Sequence, residues 1–327
     1  MKRALFVGLA VALVACKQSA PPPTAEVRPA PPVAPAAPAA KPEAPPQAPQ
    51  ANAADPWSKP APKKDPLARP LFWSIEKDGK TSYALGTIHI GVDAEARLPQ
   101  IVWDKLDAAP AFAMETDLSD PALMKVLECV GCSLKKELGP VYWKKLEAAL
   151  TPEVAARIDP MKPMVAATMM SMRGLPMTTQ MDTLLLARAR TGNKTVHFLE
   201  EPSVQARILE KHMNVKALKS MLDDVEAGNN HTKLMLDAYV SGDDVAMVKL
   251  SESEREQALK HGYTKKEYDE TMQDMLYGRN ASWIPAIEKA HAAGGIFVAA
   301  GAMHLVGPKN VLELLEKQGY KITRVVP

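Results

Sequence analysis

Two short segments, more than two hundred residues apart, share the pattern Gly-x-x-His. Residues 86–89 follow the apolar run 83–85, and residues 301–304 follow the apolar run 296–300. Each pattern predicts a buried strand, then a glycine at which the chain turns, then a histidine just beyond the strand. In open α/β sheets, ligand sites lie outside the carboxyl ends of the strands. Both histidines are therefore placed to meet a ligand or a metal.

A third apolar run, residues 111–114, is followed directly by Glu115. Two imidazoles and a carboxylate form a donor set that divalent metals accept. For one copy of Gly-x-x-His alone, a core or capping histidine is the commoner interpretation. The second copy in the same context, with an acidic residue ending a third strand, favours a site. We therefore expect His89, Glu115 and His304 to converge on one divalent metal.

The strands that must position these residues are predicted at both ends of the domain. Residues 72–76 and 81–85 flank an Asp-Gly pair, which is a strong hairpin signal. Residues 194–198 predict a further strand, and residues 321–325 predict the last one. We therefore expect one sheet assembled from both ends of the chain.

The segments between these strands are mostly helical in pattern. Helices are predicted over residues 98–108 and 308–318, the latter opened by Pro308 and closed by Gly319. The long segments 119–190 and 202–293 predict several helices each. The predicted breaks are at Gly139-Pro140, Pro160, Pro163 and Gly174 in the first segment and near Gly228 and Gly242 in the second. The predicted fold class is α/β: a central mixed sheet flanked by helices, with a large helical insertion that caps it.

The N-terminus has the features of an export signal. Lys2 and Arg3 precede an apolar stretch, residues 5–15, that is too short to span a bilayer as a helix. The stretch ends in Leu-Val-Ala before Cys16, which resembles a bacterial lipobox. We expect a signal peptide over residues 1–15 and lipidation of Cys16; an ordinary signal peptide with an incidental cysteine is the alternative.

Lys17 follows the cysteine at the position where an inner-membrane retention signal has Asp. This favours an outer membrane lipoprotein, with its domain facing the periplasm or the cell surface. Residues 16–67 are rich in Pro and Ala, which favours an extended tether over a packed core. We expect one folded domain over residues 68–327, in contact with the membrane through the lipid anchor alone.

The composition of the chain excludes some classes of partner. The formal net charge is +2, and aromatic residues make up 5% of the 327 residues. No basic stretch interleaved with aromatics points to nucleic acid, so none is expected. Cys129 and Cys132 form a Cys-x-x-Cys pair, for which redox or zinc chemistry is one interpretation. Outside the cytosol, and without a second cysteine pair, a disulfide is the expected state.

Further motifs give the domain a resemblance to a known family. They comprise residues 71–80 and 85–91, residues 114–118, Met181-Asp182, residues 199–201 with Gln205, Arg279-Asn280 with Trp283 and Ile287, and residues 301–305. Together they resemble the TraB/GumN family, which includes the TIKI metalloproteases and the PrgY pheromone-shutdown proteins. The resemblance covers nearly all of residues 71–327. Phe198 stands where the family usually has a glycine.

This resemblance implies a metal-dependent hydrolase, in TIKI proteins a peptidase that uses Mn²⁺ or Co²⁺, with Zn²⁺ also possible. The implied fold is similar to that of erythromycin esterases and of the haem-binding lipoprotein ChaN. Glu115 or Glu200 would act as general base on a peptide or small-molecule substrate. Arg279 and Asn280 would stabilise a developing oxyanion or a substrate carboxylate.

A second interpretation comes from another class of protein. A lipoprotein that captures haem, a metal or a peptide without turnover would also use paired histidines, since His89 and His304 could ligate haem iron. Glu115, Glu200 and Asn280 favour catalysis, because haem capture requires neither a base nor an oxyanion donor.

Overall fold

A six-stranded mixed sheet lies at the centre of the structure, a computed structural model that describes residues 65–117, 120 and 127–327. The strand order is β4-β3-β5-β2-β1-β6. The strands are β1 (Phe72–Lys77), β2 (Lys80–Thr87), β3 (Ala111–Met114), β4 (Thr195–Phe198), β5 (Phe297–Gly301) and β6 (Lys321–Arg324). The predicted α/β class, with a mixed sheet built from both chain ends and flanked by helices, is confirmed.

The four strands on one side of the sheet run parallel. β5 pairs with β2 and β3, and β3 pairs with β4, all in parallel, whereas β1 is antiparallel to both of its neighbours, β2 and β6. In register, Thr87 is level with Gly301, and Met114 is level with Ala299. The carboxyl ends of β2, β5 and β3 therefore meet at one edge of the sheet.

The hairpin between β1 and β2 turns at Asp78 and Gly79. Both residues have positive φ, 51° and 71°, which is the conformation of a type I′ turn and explains the Asp-Gly pair. The paired residues run from Phe72 opposite Leu85 to Lys77 opposite Lys80. The predicted hairpin is therefore confirmed.

Along the described chain the helices lie between the first and the last strand. They are α1 (Ala94–Arg97), α2 (Gln100–Ala108), α3 (Leu134–Leu150), α4 (Pro152–Ile158), α5 (Pro163–Met172), α6 (Met181–Thr191), α7 (Pro202–His212), α8 (Val215–Asp223), α9 (Val225–Ser241), α10 (Asp244–Lys260), α11 (Lys265–Met272), α12 (Gly278–Ala292) and α13 (Val311–Lys317). A π-helical segment, Gln273–Tyr277, joins α11 to α12, and a 3₁₀ turn, Ala302–His304, follows β5. In the described part of the chain, none of these helices has the length and hydrophobicity needed to cross a membrane.

The described residues form two main hydrophobic cores. The larger core surrounds the sheet and includes the fully buried Phe72, Phe112 and Phe297. The second core packs helices α3, α4, α5, α7 and α8 around residues such as Leu134 and Leu218. The helical insertion thus has apolar contacts of its own, beyond those of the sheet.

Two predicted helix boundaries are wrong. Gly228 does not break a helix: it lies inside α9, and its N–H donates to the Asp224 carbonyl. The interruption falls at Asp224, whose side chain accepts from the N–H of Ala227 and caps α9. Likewise α13 begins at Val311 rather than at Pro308, because Asn310 is its N-cap: the Asn310 side chain accepts the N–H of Glu313.

Other predicted breaks are confirmed. Gly139 has a φ of 73° and kinks α3 ahead of Pro140, and Gly242 ends α9 in the left-handed region. The predicted signal peptide over residues 1–15, the lipidated Cys16 and almost all of the predicted tether lie outside the described residues. Of that tether only residues 65–67 are described, and Leu67 is already buried in the sheet core.

Candidate active site

His89 lies two residues beyond the end of β2, held by a carboxylate. Its Nδ1 lies 2.6 Å from Oδ2 of Asp182, and the hydroxyl of Thr87 donates to Oδ1 of the same residue at 2.8 Å. Asp182 is in the first turn of α6 and is buried. Because the carboxylate accepts the Nδ1 proton, the neutral imidazole keeps its lone pair on Nε2.

His304 ends the 3₁₀ turn after β5 and is held in the same way by an amide. Its Nδ1 lies 2.6 Å from Oδ1 of Asn280. The Asn280 Nδ2 group donates to the carbonyl of Lys309 at 2.9 Å, which fixes the orientation of the amide. Nε2 of His304 is therefore also the unprotonated nitrogen, and it lies 3.2 Å from Nη1 of Arg279.

Glu115 follows β3 and is bound through both oxygens. Oε1 accepts the N–H of Gly301 at 2.7 Å, and Oε2 accepts Nη2 of Arg279 at 2.7 Å and Nε2 of Gln205 at 3.3 Å. Burial disfavours ionisation of this carboxyl. The charges of His304, Arg279 and His89 and the Gly301 N–H nevertheless lower its pKa to about 2.

The two imidazoles have opposite pKa shifts. Burial, together with the positive charges of Arg279 and His89, lowers the pKa of His304 to about 3 despite the nearby Glu115. Burial would also lower the pKa of His89, but the charge and hydrogen bond of Asp182 raise it above 6.5. At neutral pH the site therefore contains an ionised Glu115 and a neutral His304, whereas His89 keeps its proton to higher pH than an ordinary imidazole because its pKa is raised.

The three strand-end residues surround a cradle above Gly301. A Cβ atom placed on Gly301 would lie 3.2 Å from Oε1 of Glu115, 3.6 Å from Cδ2 of His304 and 4.0 Å from Nε2 of His89. Oε1 of Glu115 is 3.8 Å from Nε2 of His304. The structure thus brings together the three residues that the strand-end patterns pick out.

The donor chemistry of this cradle suits a divalent metal. Metals bind neutral imidazole and ionised carboxylate, and a metal-binding histidine almost always donates its other N–H to an oxygen. Both histidines here have that oxygen, from Asp182 and from Asn280. Across residues 65–117, 120 and 127–327, no group of three or more His, Cys, Asp or Glu side chains is arranged so that it could hold a metal ion. The three residues nevertheless suit a metal by donor type.

Arg279 and Glu200 form a buried ion pair next to Glu115. The Arg279 guanidinium binds Glu200 through Nε, 2.9 Å from Oε2, and through Nη2, 2.5 Å from Oε1. Burial raises the pKa of Glu200 despite this pairing, whereas the two carboxylates raise the pKa of Arg279 against the effect of its own burial. Glu200 and Arg279 are absent from the wall of the cleft described below.

Helix α12 carries Arg279, Asn280 and Trp283, which all contact the site or pack beneath it. The Trp283 side chain is fully buried, its ring centroid lies 4.5 Å from that of His304, and Cζ of Arg279 lies 5.1 Å from the indole. Nη1 of Arg279 also donates to the carbonyl of Met275 at 3.0 Å, within the π-helical segment. Such segments occur frequently at functional sites.

A cleft with a cavity volume of about 90 Å³, open to solvent, leads to the cradle. Its wall is largely apolar and includes Ile88, Ile90, Leu175, Met235, Met247 and Met303. Three hydroxyls in the wall donate to backbone carbonyls: Ser171 to Thr168, Thr232 to Gly228, and Tyr239 to Gly86. Polar groups that face a ligand are therefore concentrated at the end that contains His89, Glu115 and His304.

Sequence reasoning assigned no role to Asp182, Gln205, Thr87 or Trp283. Asp182 and Gln205 belong to the motifs that carry the family resemblance, but no local pattern connects them to a histidine or a glutamate. Asp182 is 93 residues from His89, and Gln205 is 90 residues from Glu115. Only the packing of α6 and α7 against the sheet could identify these partners.

Cys129 and Cys132 are joined by a disulfide just before α3, with their Cα atoms 5.3 Å apart. Neither cysteine lines the cleft. The pair is therefore a disulfide in the structure, as expected from the sequence.

The fold and the cradle define a class: mixed α/β proteins with two histidines and a glutamate at the carboxyl ends of neighbouring parallel strands. The model of the TraB/PrgY/gumN family matches residues 71–324. The chain therefore belongs to the TraB/PrgY/gumN family. No curated protein matches the chain, and no solved structure matches it. The likeness to erythromycin esterases and ChaN stays a prediction.

Proposed function

We propose that the protein is a lipid-anchored, metal-dependent hydrolase that acts on peptides. One observation carries this proposal: both histidines are held through Nδ1, which leaves Nε2 as the nitrogen that would ligate a metal at the cradle occupied by Glu115. His89, His304 and Glu115 would hold the metal, with Mn²⁺ or Co²⁺ favoured by the family and Zn²⁺ compatible with the donors. A bound metal supplies Lewis acidity to a scissile carbonyl.

The side chains around the cradle divide the remaining tasks. Glu115 is the carboxylate on the cleft wall, so a general-base role falls to Glu115 before Glu200. Its pKa of about 2 makes it a weak base, and we therefore assign it chiefly to ion binding. Glu200 orients Arg279 through its two oxygens.

Asn280 and Arg279 have different roles in this proposal. Both ends of the Asn280 amide are engaged, one by His304 and one by the Lys309 carbonyl, so Asn280 is a positioning residue for His304. Arg279 is the cation next to the reacting centre and stabilises negative charge that develops there.

The cleft suggests the kind of substrate. Because its wall is largely apolar and its hydroxyls donate to the backbone or, for Thr87, to Asp182, the cleft suits an apolar side chain next to the scissile bond. We propose that preferred peptides carry a Leu-, Ile- or Met-like residue at that position. The lipid on Cys16 would hold the enzyme at the outer membrane, facing the periplasm or the cell surface.

The test is metal analysis together with hydrolysis of a peptide library, comparing the wild type with His304→Ala. We expect a stoichiometric divalent metal and hydrolysis in the wild type, and loss of both in His304→Ala with the fold intact by circular dichroism. His197→Ala is the matched control, because His197 is exposed on the edge strand β4.

Retained turnover in His304→Ala would overturn the catalytic assignment. A Soret absorbance in the purified wild type, without peptide hydrolysis, would instead support the binding lipoprotein that uses His89 and His304 to hold haem iron.

A further inference from the structure

The guanidinium of Arg279 contacts two of the three proposed metal ligands. Nη2 lies 2.7 Å from Oε2 of Glu115, and Nη1 lies 3.2 Å from Nε2 of His304. The remaining donor contacts go to Glu200 and to the Met275 carbonyl. A guanidinium has five N–H donors, and each of them has an acceptor here.

One of these contacts is incompatible with metal binding. The unprotonated nitrogen of a neutral imidazole has a single lone pair, so Nε2 of His304 cannot accept from Arg279 and ligate a metal at the same time. Glu115 differs, because Oε1 faces Gly301 while Oε2 faces Arg279. A metal can therefore share Glu115 with Arg279, but it must displace Nη1 from His304.

The charges around Arg279 explain why it holds this position. Glu115 and Glu200 both have buried side chains, and Arg279 is paired with both of them. Two buried carboxylates without a cation are strongly destabilising. The guanidinium thus offsets one of these two negative charges when no metal is bound, and it adds a positive charge next to any metal that enters.

We propose that Arg279 is an internal cation that holds Glu115 and His304 in the metal-free protein and competes with the metal for Nε2 of His304. This inference rests on the proposed metal site and concerns its regulation. Arg279 lets the domain fold before the metal arrives, and it keeps metal affinity lower than the donor set alone would allow. Once displaced from His304, Nη1 becomes available to a bound substrate.

The experiment measures metal affinity on the full-length, EDTA-stripped protein by competition with a chromophoric chelator, using Mn²⁺ and Zn²⁺. Arg279→Gln should bind each metal about tenfold or more tightly than the wild type, because a nearby positive charge and a competing donor are both removed. Its melting temperature without metal should fall, and the rise on adding metal should exceed that of the wild type.

Two further variants keep the test decisive. Arg188→Gln also removes an arginine, one paired with Asp107 at an exposed site, and should leave metal affinity unchanged. If Arg279→Gln does not fold, Arg279→Lys carries the test: the ammonium keeps the charge but cannot bridge Glu115, Glu200 and His304 together. It should bind metal several-fold more tightly than the wild type.

The outcomes separate this inference from the function on which it rests. If the wild type binds metal and the Arg279 variants bind it equally or more weakly, the competition model is overturned while the metal site stands. If neither the wild type nor the Arg279 variants bind metal, both are overturned. Adding His304→Ala to the tighter variant should abolish the gain, and a gain that persists would also overturn the inference.

Discussion

A side chain added at Gly301 would project directly into the cradle. Its backbone angles, φ −49° and ψ 136°, are accessible to alanine, so a methyl group there brings no left-handed strain. That methyl would occupy the space between Glu115, His304 and His89. The requirement for glycine at this position is therefore one of space rather than of backbone conformation.

We predict that Gly301→Ala keeps the fold but lowers metal affinity and peptide hydrolysis by about 100-fold, the scale of a misplaced reacting group. Chelator competition and kcat/KM would measure the effect. Gly192→Ala is the matched control, because Gly192 also has negative φ and a new Cβ would meet ordinary contacts, the nearest at 3.4 Å. Unchanged affinity in Gly301→Ala would contradict the cradle as the metal site.

The Asp182–His89 pair predicts how metal binding depends on pH. The pKa of His89 is raised above 6.5 by Asp182, and only the neutral imidazole binds a metal. Affinity should therefore fall as pH decreases through the raised pKa. Asp182→Asn removes the charge that stabilises the imidazolium, so the fall should move to lower pH.

The measurement is a pH series of metal affinity, with the imidazole proton shifts of His89 followed by NMR in the metal-free protein. Asp237→Asn serves as the control, because Asp237 pairs with Lys233 on the surface. An identical pH profile in Asp182→Asn would show that His89 is not the titrating group.

At the scale of elements, α12 carries Arg279 and Asn280 to the site and anchors both through Trp283. We predict that Trp283→Ala lowers the free energy of unfolding by about 3–5 kcal/mol, as for other buried aromatics. His304 would also lose the ring against which it packs. Urea denaturation would measure the loss, and Trp283→Phe should cost clearly less. Equal stability of the Ala variant and the wild type would contradict the role of this helix.

At the scale of the whole molecule, the proposed attachment to the membrane would depend on Cys16. This residue lies outside the described residues, and its role follows from the Leu-Val-Ala-Cys motif alone. We predict that Cys16→Ser either releases the protein into the soluble periplasmic fraction or leaves it unprocessed. Fractionation and intact mass would show this, and membrane attachment with an unchanged mass would disprove lipidation.

Much of this protein could be predicted from its sequence because the signals were local. A strand that ends at Gly-x-x-His, or directly before Glu115, is visible within a few residues. The Asp-Gly hairpin and the left-handed Gly242 are of the same kind. Gly228 shows the limit of such local signals. A helix tolerates a glycine in its second turn when a capping residue, here Asp224, sets its start four residues earlier.

The sequence by itself determined which residues end the strands, and hence that His89, Glu115 and His304 could share an edge of one sheet. Only the tertiary structure decided what surrounds them. Arg279 meets Glu115 across 164 residues, and no local pattern encodes that separation. The strand order β3-β5-β2 and the docking of α6 and α12 set these contacts. A buried charge takes its partner from whichever element packs beside it, and that packing is a property of the whole fold.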